Sequence, residues 1–258
     1  MTHAFPGFAA GTRAIVTGAA SGIGEATVEI LCSLGLDVVG VDIDAERLAA
    51  LEPSGGSFST EIADTGNPEA VDALFTRLAD RFGPIPHLVN NAGPPSSMSL
   101  SIEQGLALSA GSVQRMTAAW ADLLDEDCQQ ASVVNIASVA GALSGGPSPH
   151  LLAGRGGAEQ NGWYPAGKAA IAGLTRWQAV SAAGRFRANA VLPGITVTAR
   201  MGDISTGVYG REVIGRTPLG RLARPDEIAN AIVFLLSPAA SFINGQSLAV
   251  EGGGTLAF

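Results

Sequence analysis

The stretch Ala14-Ile15-Val16-Thr17-Gly18-Ala19-Ala20-Ser21-Gly22-Ile23-Gly24 decides the fold. Its first four residues, apolar or β-branched, read as a buried strand. The glycine-rich run reads as a tight turn, and the apolar spacing of Glu25 to Leu34 reads as a helix. The same succession repeats outward along the chain. Strand-like runs at Asp37 to Val41, Leu88 to Asn90, Ser132 to Ile136, Arg187 to Val191 and Ser247 to Val250 alternate with helical patterns. These patterns are Ala45 to Leu51, Pro68 to Phe82, Val113 to Leu124, Ala166 to Ala182 and Pro225 to Leu236. Alternation of this kind requires right-handed crossovers between parallel strands. We therefore expect one doubly wound, Rossmann-type α/β domain over residues 1–258, with a parallel sheet of about seven strands covered by helices on both faces. Ligands of such sheets collect beyond the carboxyl ends of the strands.

Composition narrows the partners. With 258 residues and 47% hydrophobic content, the chain can build one substantial core, and no linker or low-complexity tract divides it. A formal net charge of -8, without any Lys/Arg cluster, excludes nucleic acid and anionic membrane surfaces and points to a small-molecule partner. Cys32 and Cys128 lie far apart with no C-x-x-C or His-rich metal spacing, so they read as reduced thiols. Met1 to Ala10 lacks a basic region followed by an apolar run, and no apolar stretch reaches the ~18 residues of a membrane span. A cytoplasmic location is the expectation.

A glycine-rich turn between strand and helix lets the main chain approach a pyrophosphate and aims the free N–H groups of the helix start at it. This makes Gly18, Ser21, Gly22, Ile23 and Gly24 candidate cofactor-binding residues. The second strand ends in Val41-Asp42, 18 residues after Gly24. A carboxylate there accepts hydrogen bonds from both adenosine ribose hydroxyls and repels a 2′-phosphate. The turn also holds no Arg or Lys to pair with such a phosphate, so NAD is favoured over NADP. Asp42 has a rival role as a helix cap, for which Asp44 is better placed.

Tyr164-Pro165-Ala166-Gly167-Lys168 puts a phenol and an ammonium four residues apart at the start of a helix, on one face and one turn apart. A free phenol titrates near pH ~10, and a neighbouring ammonium favours the phenolate. The pair thus suits proton exchange with a reacting oxygen. By itself this spacing is common in helices.

Further motifs follow in order: T-G-x-x-x-G-I-G at Thr17 to Gly24, Asp64 after a third strand, N-N-A-G at Asn90 to Gly93, N-I-A-S at Asn135 to Ser138, Y-x-x-x-K at Tyr164 to Lys168, P-G-x-x-x-T at Pro193 to Thr198, and a strand-turn at Val250 to Gly253. Over nearly its whole length the chain resembles the short-chain dehydrogenase/reductase family. The resemblance implies that Asp64 bonds the adenine ring and that Asn91, Ala92 and Gly93 bring the main chain close to the adenosine ribose. It likewise implies that the turn carrying Pro193, Gly194, Thr196 and Thr198 holds the nicotinamide carboxamide. Tyr164 becomes the acid/base, Lys168 lowers its pKa and binds the nicotinamide ribose, and Ser138 bonds the substrate oxygen. The implied activity is NAD-dependent interconversion of a secondary alcohol and a ketone. The implied assembly is a homotetramer or homodimer in which the Tyr164 helix and the Val113 to Leu124 helix pair across subunits.

Two departures stand out. The family usually carries an Asn in the helix after the fourth strand, supporting a water that leads from the catalytic lysine to solvent, yet no Asn lies between Asn91 and Asn135. Leu108 to Ser112 occupies roughly that place, leaving Ser109, Ser112 or a shifted backbone as alternatives. Secondly, Ser138 and Tyr164 are 26 residues apart, about twice the family's more usual spacing. The added segment 143–162 contains His150, Arg155 and Glu159 and reads as an enlarged active-site loop, with His150 and Arg155 read as solvated rather than as a second acid/base and a carboxylate or phosphate anchor. A similar enlargement in some bacterial hydroxysteroid dehydrogenase/carbonyl reductases tilts the substrate toward a hydrophobic, cyclic or steroid-like compound. Residues 196–218, with Met201, Val208, Tyr209 and Ile214, resemble the family's substrate lid, while Trp163 and Trp177 read as packing residues. Two rival readings are a catalytically weak NAD-binding sensor or scaffold, and a reductase of 3-oxoacyl thioesters on an acyl carrier protein. The latter calls for NADPH and a basic patch.

Overall fold

The computed structural model describes residues 7–126, 128, 130–145, 162–198 and 207–256. Its first elements are β1 (Arg13–Thr17), α1 (Gly22–Ser33), β2 (Asp37–Asp42), α2 (Ala45–Ala49), β3 (Phe58–Ile62), α3 (Pro68–Phe82) and β4 (His87–Asn90). After β4 come α4 (Ile102–Leu106), a single π-helical turn (Ala107–Gly111) and α5 (Ser112–Asp122). The second half comprises β5 (Ser132–Ile136), a short turn α6 (Val139–Ala142), α7 (Trp163–Ser181), β6 (Arg187–Pro193), α8 (Val208–Arg216), α9 (Pro225–Leu236) and β7 (Ser247–Val250).

The seven strands form one sheet in the order β3-β2-β1-β4-β5-β6-β7, parallel at every pairing. The chain builds outward from β1 to β3, then returns to lay β4 on the other side of β1. The strand order reverses between β1 and β4, which is where such sheets open a crevice for ligand. Alternate residues of each central strand feed opposite layers. Ala14 and Val16 of β1 join Val28 and Leu31 of α1 and Ile228 and Ile232 of α9. Ile15 points the other way, into a layer with Val71, Leu74 and Leu78 of α3 and Met116 and Trp120 of α5.

Local chemistry explains where helices begin and end. Asn67 caps α3 by accepting from Ala70 N at 3.1 Å, Pro68 fills the first turn, and Gly83 ends the helix with φ +65°. Asp44 caps α2 through Arg47 N at 3.0 Å, leaving Asp42 for another role. No basic residue of α9 lies in its last turn; the guanidinium of Arg187, on β6, serves there instead, donating to the carbonyls of Leu235, Leu236 and Ser237.

A buried polar thread crosses the centre of the molecule. Asn90 and Asn135 are register partners on β4 and β5, and Asn90 Nδ2 donates to Asn135 Oδ1 at 2.8 Å and to Thr117 Oγ1 of α5 at 2.9 Å. Asn135 Nδ2 in turn donates to Thr175 Oγ1 and Gln178 Oε1 of α7. The strands carrying the cofactor-side and substrate-side motifs are thereby bonded to both helices that flank them.

The strand before Asp64 is present as β3, although no apolar run announces it. Ser59, Thr60 and Glu61 make it polar, which an edge strand with half-exposed faces tolerates. α4 and α8 likewise extend the helices read from periodicity. Among the described residues, no helix is long and apolar enough to cross a membrane.

Candidate active site

The carboxyl ends of β1, β2, β4, β5 and β6 bring most of the expected site residues to one edge of the sheet. Gly18 and Gly22 adopt φ +65° and +60°, which only glycine accepts without strain, and the resulting turn delivers the chain into α1. Ser21 stands at the N-cap with extended backbone, but its hydroxyl makes no capping bond, so the first N–H groups of α1 stay available to an anionic ligand. Gly24 lies directly on the carbonyl of Gly18, with no room for a side chain.

Thr17 fastens this turn to the end of β4. Its hydroxyl donates to Val89 O and accepts from Asn91 N and Ala92 N, both at 3.0 Å. Asn91 Nδ2 returns two bonds to the carbonyls of Thr17 and Gly18, at 3.0 and 3.1 Å. Asn91 thus holds the turn in shape with its side chain, a role unreadable from the motif. The Asp42 carboxylate, half-buried, accepts from Ala20 N at 2.9 Å and Asp44 N at 3.0 Å. A carboxylate has about four lone-pair positions, so two bonds lock its orientation and leave acceptor capacity facing outward. Asp64 is exposed and accepts from Gly66 N at 2.8 Å.

On the β6 side, Gly194 packs on Glu251, where a Cβ would fall 2.8 Å from that residue's Cβ, and its N–H donates to Val250 O. Thr196 donates to Gly194 O at 3.1 Å, and Thr198 lies against the glycine turn, its Cγ2 being 3.1 Å from where a Cβ on Gly22 would sit. A turn with free helix N–H groups, an oriented carboxylate, and the β4 and β6 loops converging on it make a cradle that fits an extended dinucleotide.

The reacting side lies beside it. Tyr164 and Lys168 occupy the first two turns of α7, with Lys168 Nζ 5.8 Å from the phenol ring centroid and donating to Ile136 O at 2.8 Å. Ser138 follows two residues after Ile136; its Oγ accepts from Ala140 N at 3.1 Å, so the residue caps α6 while its hydroxyl proton is left to donate elsewhere. Capping and substrate contact are compatible in this geometry. Tyr164, Lys168, Ala92, Gly93 and Ser109 share a small cavity of about 10 Å³, space for the centre of one water.

The three alternatives for the place usually held by Asn lie differently with respect to Lys168. Ser112 donates to Thr65 O at 2.8 Å, away from Lys168. Ser109 lines the cavity with Lys168, and it does so from the π-helical turn, whose extra residue displaces the backbone there. Its hydroxyl donates to Gly105 O, keeping lone pairs for a further donor. The serine and the shifted backbone therefore lie together at this place.

The sequence profile of a family described as Enoyl-(Acyl carrier protein) reductase matches residues 18–255. The chain belongs to the short-chain dehydrogenase/reductase family. It is 36% identical to cis-4-hydroxycyclohexanecarboxylate dehydrogenase of Sinomonas cyclohexanicum, over 94% of this chain and 96% of that protein. It is 31% identical to 3beta-hydroxysteroid dehydrogenase 2 of Eggerthella lenta, over 95% of each chain. Among solved structures it superposes on levodione reductase with a TM-score of 0.82 at 27% identity, covering 96% of this chain and 99% of that one. This short-chain dehydrogenase/reductase is an oxidoreductase, of a family whose members generally bind a nicotinamide cofactor.

Most of the enlarged loop 143–162, with His150, Arg155 and Glu159, lies outside the described residues, as does Met201 of the lid. Trp163 is buried as expected, but Trp177 is 56% exposed on the outer face of α7, because the inward positions Ile171, Thr175 and Gln178 already fill the side facing the sheet.

Proposed function

We propose that this chain is an NAD-dependent dehydrogenase/reductase that interconverts a secondary alcohol and a ketone, with Tyr164, Lys168 and Ser138 as catalytic residues. One observation carries the reading: Tyr164 and Lys168 line the same small cavity as Ala92 and Gly93 of the cradle. Acid/base group and cofactor site therefore meet at one point.

When bound, the nicotinamide supplies the hydride acceptor for oxidation and the donor for reduction. The chain's own residues handle the oxygen. Ser138, its Oγ already fixed by Ala140 N–H, donates its proton to the substrate oxygen and orients it. Tyr164 removes the hydroxyl proton during oxidation and returns it during reduction, when negative charge builds on that oxygen. Lys168 favours the phenolate by its charge. Protons reach Lys168 through the cavity, where Ser109 takes the place of the absent Asn. Asp42 accepts the adenosine ribose hydroxyls and disfavours a 2′-phosphate, which is the basis for NAD.

The substrate reading is a hydrophobic cyclic or steroid-like compound. It is supported by relatives described as dehydrogenases of a hydroxycyclohexanecarboxylate and a 3beta-hydroxysteroid. The thioester reading has the acyl-carrier-protein description of the family profile in its favour. Against it stand Asp42 and the net charge of -8, which repels an acidic carrier. A homotetramer or homodimer through α5 and α7 is supported by the exposed Trp177 and Val180 of α7.

The test is turnover followed by nicotinamide absorbance across cyclic-alcohol, steroid and aromatic-alcohol panels with NAD and NADP. We expect NAD-linked turnover that falls at least ~100-fold in Tyr164→Phe while NAD still binds. Tight NAD binding with no turnover by the parent would establish the sensor reading instead. Preference for NADP in the parent, or an unchanged preference in Asp42→Ala, would refute the role given to Asp42.

A further inference from the structure

The first turn of α7 must hold the Tyr164 phenol in place, yet no side chain caps it: Gly162 occupies the N-cap position and makes no capping bond. The turn is held by the residue next to the tyrosine. Trp163 is 1% exposed, and its ring meets the Tyr164 ring edge-on, with centroids 5.6 Å apart and an interplanar angle of 83°. Its indole N–H donates to Met98 O at 3.0 Å, in the segment that follows the Asn90 to Gly93 motif. On its other side it fills the space above Gly105 of α4, where a Cβ would fall 2.5 Å from the Trp163 Cβ and 2.8 Å from Cε3. Trp163 and Tyr164 also line the same cavity.

We infer that Trp163 is a positioning residue for Tyr164, bracing the phenol from behind and fastening it to segment 94–105. This rests on the reading of Tyr164 as the acid/base. The physical case is that a phenol swings about two side-chain torsions, and an edge-to-face partner of fixed position removes that freedom. Trp163 is itself fixed at both ends, by a hydrogen bond and by close packing on a residue without a side chain. Small displacements of a reacting group carry large rate penalties, so the brace acts on catalysis without touching substrate.

The experiment compares Trp163→Leu and Trp163→Phe with the parent in a Tyr209→Phe background. The chain contains two tyrosines, so this leaves Tyr164 as the sole phenol. Its ionisation is then read directly from phenolate absorbance, without any turnover. For Trp163→Leu we expect kcat to fall about tenfold or more, the KM for NAD to stay within about twofold, and the phenolate transition to move by about half a pH unit or more. Trp163→Phe keeps an aromatic edge beside Tyr164 but loses the N–H and one ring of the indole, so it should recover part of each effect. Should the leucine variant not fold, the phenylalanine variant carries the test with a loss of about threefold. Parent-like kcat and an unmoved phenolate transition in a folded variant would overturn the proposal. Full activity in Tyr164→Phe would instead sink the acid/base reading, while the absorbance titration would still report whether Trp163 braces the phenol.

Discussion

His87 shows how far a side chain at the opposite end of the sheet can set the behaviour of the fold. It is 4% exposed, and its Nδ1 lies 2.9 Å from Ser132 Oγ, whose own proton goes to Leu236 O at 3.0 Å. Ser132 has no second proton to give, so His87 must donate from Nδ1, which fixes the tautomer of the neutral ring. Burial, reinforced by the nearby Arg187 charge, pushes the His87 pKa from its usual 6.5 down to about 3. The unfolded chain therefore binds one more proton than the native one between those values. The contribution is fully present above pH 6.5 and is lost as pH falls from there toward 3. The slope is about 1.4 kcal/mol per pH unit. Urea unfolding of the parent and of His87→Asn between these limits should show a parent stability that rises with pH more steeply than the variant's by about that slope. Parallel lines would mean that His87 does not titrate with unfolding.

At the level of elements, the fit of the π-helical turn against α7 is an exacting contact near the site. Ser109 Oγ occupies the space that a side chain on Gly167 would need. Gly167→Ala should cost about 1–3 kcal/mol by overpacking and should slow turnover, because Lys168 is the next residue. Ser109→Gly in the same chain should restore much of the stability without restoring proton delivery. A double-mutant cycle of melting temperature and kcat separates the two, and additive effects would show that the residues are not fitted to each other. This contact also marks where sequence reasoning ran out. β1, β4, β5 and β6 were legible because the buried strands of a parallel sheet are rich in apolar residues, whereas Tyr164, Lys168 and Ser138 stood out through the ordered motifs of the family resemblance, the Tyr164 and Lys168 spacing being common by itself. β3 was not, since Phe58–Ile62 carries Ser, Thr and Glu at its three central positions, which an edge strand tolerates. Nor was the choice between Ser109 and Ser112, because a π-turn adds a residue without altering the periodic pattern on either side of it. The bracing role of Trp163 was hidden for another reason: a buried tryptophan reads as core wherever it occurs, and only its neighbours show what it steadies.

At the scale of the whole molecule, the proposed pairing of subunits through α7 rests on the exposed Trp177 and Val180, 56% and 82% accessible. Trp177→Asp combined with Val180→Asp should lower the molar mass seen by light scattering, leaving the far-ultraviolet dichroism unchanged. An unaltered mass would place the interface elsewhere. The buried thread from Thr117 through Asn90 and Asn135 to Thr175 and Gln178 has a wider reach than its own bonds. A slip of β5 by one residue would strand its amides in an apolar interior, so the thread works as a gauge block between the two halves of the sheet. Asn91 to Gly93 begin one residue beyond one end of that gauge, and Ser138 stands three beyond the other. The spacing between Asn91 to Gly93, the proposed cofactor floor, and Ser138, the proposed contact to the substrate oxygen, is therefore cut into the sheet itself.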